Sequence, residues 1–346
     1  MRLRSGIEMP SIGLGSSGGC GPDSFATTDG SPCGEYNATM LWFGNGGRAV
    51  HTALSYCNQF GVGAAYHASG LKREEVFLMS MVPKFLMGYN ETRASVEASL
   101  KQMQLERLDL VMLHHRAADV SDWPREVCPM DAFPHQPTAR SKETNRTVAL
   151  WGPPPCATAD PSWRQCQDES WRALLELRAE GRISAVGVSN WPISSLQRME
   201  ALGQELPEVN QVEVHVGWHE DDLIDYCHAR GIVVQAASPL ARFAPAIVGA
   251  PAVLAAAAAH RKSPAQILLR YLIERGVAPI PSAHSSAYQH ENLAVLQFQL
   301  DAHEVAALGG VVGGCRGKAA DGLAKCWADP STMMCRHHNG STFHCP

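Results

Sequence analysis

Eight short apolar runs alternate with stretches of helical periodicity along this chain, and that alternation restricts the fold more than any other feature. The runs are Ser11–Leu14, Arg48–Thr52, Val76–Met81, Leu108–Leu113, Ser184–Val188, Val209–Val214, Ile232–Ala236 and Val277–Ile280. None alternates strictly between apolar and polar residues, as expected of parallel strands buried on both faces. Between them, Glu91–Met103 places Val96, Leu100 and Met103 on one face, and Ser170–Ala179 gathers Trp171, Leu174, Leu175 and Leu177. Ser263-Pro264-Ala265-Gln266 reads as a capping box with proline in the first turn, opening a helix over Ala265–Glu274. Arg-Gly at 230–231 and 275–276 stops a helix just ahead of the next strand. Eight strand–helix units predict a closed (β/α)8 barrel, with a doubly wound open sheet as the runner-up.

At 346 residues the chain exceeds the usual barrel of about 250. The surplus falls in two expected insertions, 16–45 and 116–167, and in a tail. We therefore expect a barrel over 1–308 and a Cys-rich tail over 309–346 packed on it. Long structureless loops in a compact domain need a function or a staple, and here cysteine is available as the staple. The chain has eleven cysteines, most of them in stretches rich in Gly, Pro, Ser and Asp, and no CxxC pair. That pattern speaks against a zinc ribbon and for disulfides formed in an oxidising compartment. Asn37, Asn90, Asn145 and Asn339 each begin an N-glycosylation sequon, four of only nine asparagines, where chance supplies roughly one. Both signals lead us to expect a glycoprotein of the secretory pathway, with a cytoplasmic protein carrying free thiols as the alternative.

A net charge of −5 supplies no basic field for nucleic acid, and no apolar run reaches the roughly 18 residues of a membrane span. The opening Met-Arg-Leu-Arg has no apolar stretch behind it of the kind a signal peptide carries.

In order and spacing, several segments resemble the aldo-keto reductase family from about Gly6 to Leu308. Met9-Pro-Ser-Ile-Gly-Leu-Gly15 is similar to its first strand, and Leu108-Asp-Leu-Val-Met-Leu-His114 to its fourth. Trp171-Arg-Ala-Leu followed by Glu180-Gly-Arg-Ile-Ser-Ala-Val-Gly-Val-Ser-Asn190 resembles the helix and fifth strand. Val209–His215 and Gly231–Leu240 are similar to the sixth and seventh strands, and Ser263–Leu272 with Glu291-Asn292 to the last helices. The resemblance implies a barrel that reduces small carbonyl compounds with NADP or NAD. In that family a tyrosine gives a proton to the forming alkoxide, tuned by a lysine, an aspartate and a histidine.

Only part of that machinery is matched. In His51-Thr-Ala-Leu-Ser-Tyr56, Tyr56 stands at the proton donor and His51 at the aspartate, while His114 matches the histidine. Met81 stands at the lysine, and a thioether neither carries charge nor donates a proton. Lys84 lies three residues further on, within possible reach from a loop. The resemblance further implies that Ser189, Asn190, Gln211, Ser238, Leu240, Glu291 and Asn292 bind the cofactor. Ala237 replaces a stacking aromatic, Ser282 a phosphate-binding lysine and Tyr288 the arginine of the 2′-phosphate site, with His284 close in sequence.

Three readings follow. The first is an NAD(P)H-dependent reductase with a relay remodelled around Tyr56, His114 and His51. The second is a secreted, catalytically silent barrel that binds or assembles with a protein partner and holds no cofactor. The third is a soft-metal site using His51, His114 and Met81 with His115 and His215 nearby; the spacing of these residues is not that of a metal motif, and we expect none.

Overall fold

A computed structural model describes residues 1–16, 34–115, 156, 163–311, 334–336 and 342–344. The chain divides into two compact units. One comprises Leu14–Ser189 with Ser282–Ser286, and the other Met1–Gly13, Asn190–Pro281 and Ala287–Pro346.

The first unit runs β1 (Leu14–Gly15), α1 (Glu35–Gly44), β2 (Ala49–His51), α2 (Gln59–Ser69), β3 (Phe77–Val82), α3 (Tyr89–Met103), β4 (Leu108–Leu113), α4 (Arg164–Ala179) and β5 (Ile183–Ser189). Each strand pairs in parallel with the next, in a register that aligns His51 with Met79 and Met79 with Leu110. Val50, Leu78, Leu110, Met112 and Val186 are fully buried, as strands covered on both faces demand. Gly63 of α2 must be glycine: a Cβ there would lie 2.5 Å from the backbone of Met103, where α3 ends.

The second unit runs α5 (Ile193–Ala201), β6 (Val209–Glu213), α6 (Asp221–His228), β7 (Val233–Ala237), α7 (Pro245–Val248), α8 (Pro251–His260), α9 (Pro264–Glu274), β8 (Val277–Pro279), α10 (Ser286–Leu293) and α11 (Ala302–Gly309). Strands β6, β7 and β8 are again parallel in sequence order. The capping box at α9 is formed: the Gln266 N–H donates to Ser263 Oγ at 3.3 Å, and the Ser263 N–H to Gln266 Oε1 at 3.1 Å. Eight parallel strands, each followed by helix, place the chain in the (β/α)8 class. Gly13-Leu14-Gly15-Ser16-Ser17-Gly18 has the spacing of the open-sheet dinucleotide fingerprint, but Gly13 precedes the strand Leu14–Gly15 and Gly15 ends it, so the motif does not open after a strand.

Two expectations about the insertions change. Helix α1 occupies part of 16–45, with Ala38, Trp42 and Phe43 buried at helical spacing. Helix α4 starts at Arg164, six residues ahead of the predicted Ser170, inside 116–167. Its first turns, rich in Arg, Gln, Asp and Glu, lack an apolar stripe; Cys166 is instead buried and disulfide-bonded to Cys156. Cys57 is also disulfide-bonded, while Cys227 is free and buried. The rest of both insertions lies outside the described residues, with Cys20, Cys33 and Cys128. Beyond Val311 the tail is described only in the antiparallel backbone pairing of β9 (Met334–Arg336) with β10 (Thr342–His344). No helix among the described residues is long and apolar enough to cross a membrane.

Candidate active site

The first unit brings Tyr56, His114 and His51 together. His51 closes β2, and the ladder carries on past it: the Thr52 N–H donates to the Met79 carbonyl at 3.0 Å. The next residues turn sharply, and Tyr56 ends a single 3-10 turn over Leu54–Tyr56, its N–H donating to the Ala53 carbonyl at 3.0 Å. His114 follows β4 directly and is fixed by its N–H bond to the Val82 carbonyl, 3.0 Å. Tyr56 Oη lies 3.4 Å from His114 Nε2, and the two rings meet edge-on with centroids 5.6 Å apart. The His51 ring approaches Tyr56 from another side, centroids 6.1 Å apart, and His115 stacks on His114 at 4.6 Å.

Burial sets the protonation of this cluster. The Tyr56 phenol is pushed up to about 12 by loss of solvent alone, so it stays protonated throughout the neutral range. His51 is 2% exposed, and the same effect lowers its pKa to about 3, which keeps the imidazole neutral. Neither ring nitrogen of His51 has a hydrogen-bond partner among the described residues. A buried imidazole in that condition carries a desolvation cost that a bound polar group would relieve. Met81, at the position expected of a lysine, is 1% exposed in β3 and registers with Met112. Lys84 starts the short turn Lys84–Leu86 beyond that strand. Among the described residues, no group of three or more His, Cys, Asp and Glu side chains is arranged to share a metal ion. His215 is in the second unit, its Nδ1 accepting the Gly217 N–H at 3.2 Å and its Nε2 3.7 Å from Glu213.

The dinucleotide candidates fall mainly in the second unit. Asn190 takes a left-handed conformation, φ 61°, and its N–H donates to the Gln211 carbonyl at 2.8 Å. Gln211 in turn donates through Nε2 to Gln235 Oε1 at 2.6 Å. Ser189, the last residue of β5 in the first unit, is buried. After β7, Ser238 accepts the Ala241 N–H at 2.9 Å, and Leu240 is buried. Ala241, Arg242 and Phe243 then follow one another in the left-handed region, φ 49°, 53° and 57°. Glu291 Oε2 accepts from Ser263 Oγ at 2.8 Å, which ties it to the start of α9, and Asn292 is buried. The stretch 280–292 contains neither lysine nor arginine, and Ser282, His284 and Tyr288 are exposed.

Sequence reasoning missed a polar chain beside Tyr56. Thr52 Oγ1 donates to Asn58 Oδ1 at 2.5 Å, and Asn58 Nδ2 donates to Glu35 Oε2 at 3.1 Å, all three residues buried. Glu35 fell in a segment read as insertion loop. The helical spacing of Ala38, Trp42 and Phe43 is the signal that points to α1 and to its first residue.

The family model described as the aldo/keto reductase family matches residues 35–244 and 249–312. The oxidoreductase YtbE of Bacillus subtilis is 32% identical over 302 residues, covering 86% of this chain and 87% of that protein. Glyoxal reductase of the same organism is 30% identical, covering 88% of this chain and 90% of that one. An aldo-keto reductase from a deep-sea metagenome library superposes with a TM-score of 0.70 at 26% identity, over 92% of this chain and 97% of the other. Another aldo-keto reductase, solved with NADPH, gives 0.71 at 25% identity, over 91% and 88%. This chain belongs to the aldo/keto reductase family.

Proposed function

We propose that the protein is an NAD(P)H-dependent reductase of small carbonyl compounds, with proton transfer carried by Tyr56 and His114 and with His51 in place of the usual carboxylate. The observation that carries this reading is the pair Tyr56 Oη and His114 Nε2, 3.4 Å apart, with the phenol held protonated by burial. A similar enzyme, glycerol 2-dehydrogenase (NADP(+)) of Saccharomyces cerevisiae, supports the cofactor class. So does the donor set on this chain: Ser189, Asn190 and Gln211 offer the mixed donors and acceptors that a carboxamide needs. When bound, a reduced nicotinamide supplies the hydride.

Tyr56 gives its proton to the oxygen that was the carbonyl. His114 orients the phenol and, as the Nε2–H tautomer, donates to the phenolic oxygen as negative charge develops there. Neutral His51 offers one ring N–H and one lone pair beside Tyr56, a hydrogen-bonding substitute for a charged carboxylate. The segment 280–292 holds no guanidinium or ammonium for a 2′-phosphate, which favours weak discrimination between NADPH and NADH.

The absent lysine favours a second reading, a catalytically silent binding protein. Both are tested by titrating the protein with NADPH and NADH and then following consumption of each with a panel of small aldehydes. Turnover that Tyr56→Phe abolishes supports the reductase; failure of both dinucleotides to bind overturns it. The disulfide Cys156–Cys166, the bonded Cys57 and the exposed sequon residues Asn37 and Asn90 support a secretory-pathway location. Glycan mass on protein secreted from eukaryotic cells tests that proposal.

A further inference from the structure

Asn58 precedes the first turn of α2, a position where asparagine ordinarily caps its own helix. Here its side chain makes no capping bond. It turns back instead, accepting from Thr52 at 2.5 Å and donating to Glu35 at 3.1 Å. The Thr52–Asn58 bond closes the five-residue turn Ala53–Cys57, and Tyr56 stands inside that turn. An ionised Glu35 carboxylate can only accept, so Asn58 must turn Nδ2 to it and Oδ1 to the Thr52 hydroxyl, which then donates.

We infer that Glu35 is a positioning residue for Tyr56, acting through Asn58 and Thr52 to hold the turn that carries the phenol. The inference rests on the proposed role of Tyr56 for its effect on turnover, but the clamp itself is open to test without it.

Among the described residues, only burial and the Asn58 bond shift the Glu35 carboxyl, with no contribution from a charged neighbour. Gly61 of α2 packs against it, a Cβ there falling 3.3 Å from Glu35 Cβ. The ionisable groups of α2, Tyr66 and His67, lie at its far end, His67 Nε2 being 3.2 Å from the Met103 carbonyl oxygen. On α1 the neighbour is Tyr36, and on the Thr52 side it is His51, which is neutral. Burial raises Glu35 from 4.5 to about 7, offset in part by the Asn58 bond. Its charge therefore changes near neutral pH. The ionised carboxylate accepts more strongly from Asn58 than the protonated form does, so the clamp tightens as pH rises through about 7.

The test compares wild type, Glu35→Gln and Glu35→Ala by hydrogen exchange of the Ser55 and Tyr56 amides, with turnover measured in parallel between about pH 6 and 8. In wild type, exchange through the local opening that breaks the Asn58 bond while Glu35 stays buried, corrected for its intrinsic pH dependence, should slow about three- to ten-fold across that range, and kcat should rise in step. Glu35→Gln keeps an acceptor for Asn58 but cannot ionise; it should fold, show no step, and leave dinucleotide affinity within about two-fold. Glu35→Ala should exchange faster at every pH. A folded Glu35→Ala protein with unchanged exchange in the turn overturns the inference, as does a step that persists in Glu35→Gln. If wild type turns over no carbonyl but the exchange pattern holds, the clamp stands and the reductase reading falls.

Discussion

Tyr56 Oη and His114 Nε2 lie 3.4 Å apart, within reach of a hydrogen bond whose direction depends on the histidine tautomer. The two residues come from different strand ends, and each is fixed by a backbone hydrogen bond. Proton donation here rests on a phenol whose pKa burial raises to about 12. Replacing either residue, Tyr56→Phe or His114→Ala, should lower kcat by roughly 10²–10⁴-fold, the usual scale for a lost general acid. Steady-state kinetics with a small aldehyde checks it.

Restoring the missing cation tests the same cluster from the other side. Met81→Lys should raise kcat and pull the alkaline limb of its pH profile below about 12, because an ammonium near the phenol favours its ionised form. Adding His51→Asp should help further by pairing with the lysine, and the two effects should not add. A double variant slower than the single lysine variant would contradict this arrangement.

Cofactor choice should respond to one exposed position. Tyr288→Arg places a guanidinium where 280–292 has none. A charge-assisted contact to the 2′-phosphate contributes about 1.5–3 kcal/mol, so NADPH affinity should rise roughly ten-fold or more while NADH affinity stays level. Fluorescence titration with both dinucleotides reads the ratio.

Stability should fall on the acid side because of His51. Its pKa is near 6.5 when unfolded and about 3 when folded. The unfolded chain thus binds the extra proton between those values, and stability rises with pH across that window. The contribution is full above about pH 6.5 and is lost as pH falls toward 3. Urea unfolding at about pH 5 and 7.5 should show wild type losing about 2 kcal/mol more than His51→Asn on acidification. Comparing the two proteins isolates the histidine from Glu35, which acts with the opposite sign. Equal losses in both would refute the assignment.

Gly63→Ala should destabilise by about 1–3 kcal/mol or more, because its Cβ meets backbone at 2.5 Å and not a movable side-chain end. Thermal unfolding of the folded variant measures it.

The strands were legible because burial on both faces leaves little but apolar residues. Val76–Met81 was expected where Phe77–Val82 forms, and Leu108–Leu113 coincides at both ends. The α9 capping box was equally plain, its partners being neighbours in sequence. Tyr56, His51 and His114 were readable only through a family pattern, since nothing local says that residues 56 and 114 will meet. Glu35 was readable only as the start of α1, through the spacing of Ala38, Trp42 and Phe43, and its partners were not. Its contacts come from Asn58, more than twenty residues on, and the polar residue opening α1 resembles the loop before it. The early start of α4 was hidden for a related reason: a disulfide, not an apolar stripe, holds its first turn.

Met81 has a consequence for which molecules the cluster will favour. With a thioether at 81, a neutral imidazole at 51 and a protonated phenol at 56, these three side chains carry no fixed charge at neutral pH. Their attraction for a ligand is then dipolar and short in range, and added salt has little to screen. Compounds that gain affinity from a carboxylate lying against an ammonium would lose that gain here. Uncharged aldehydes and ketones would be held about as well at high ionic strength as at low.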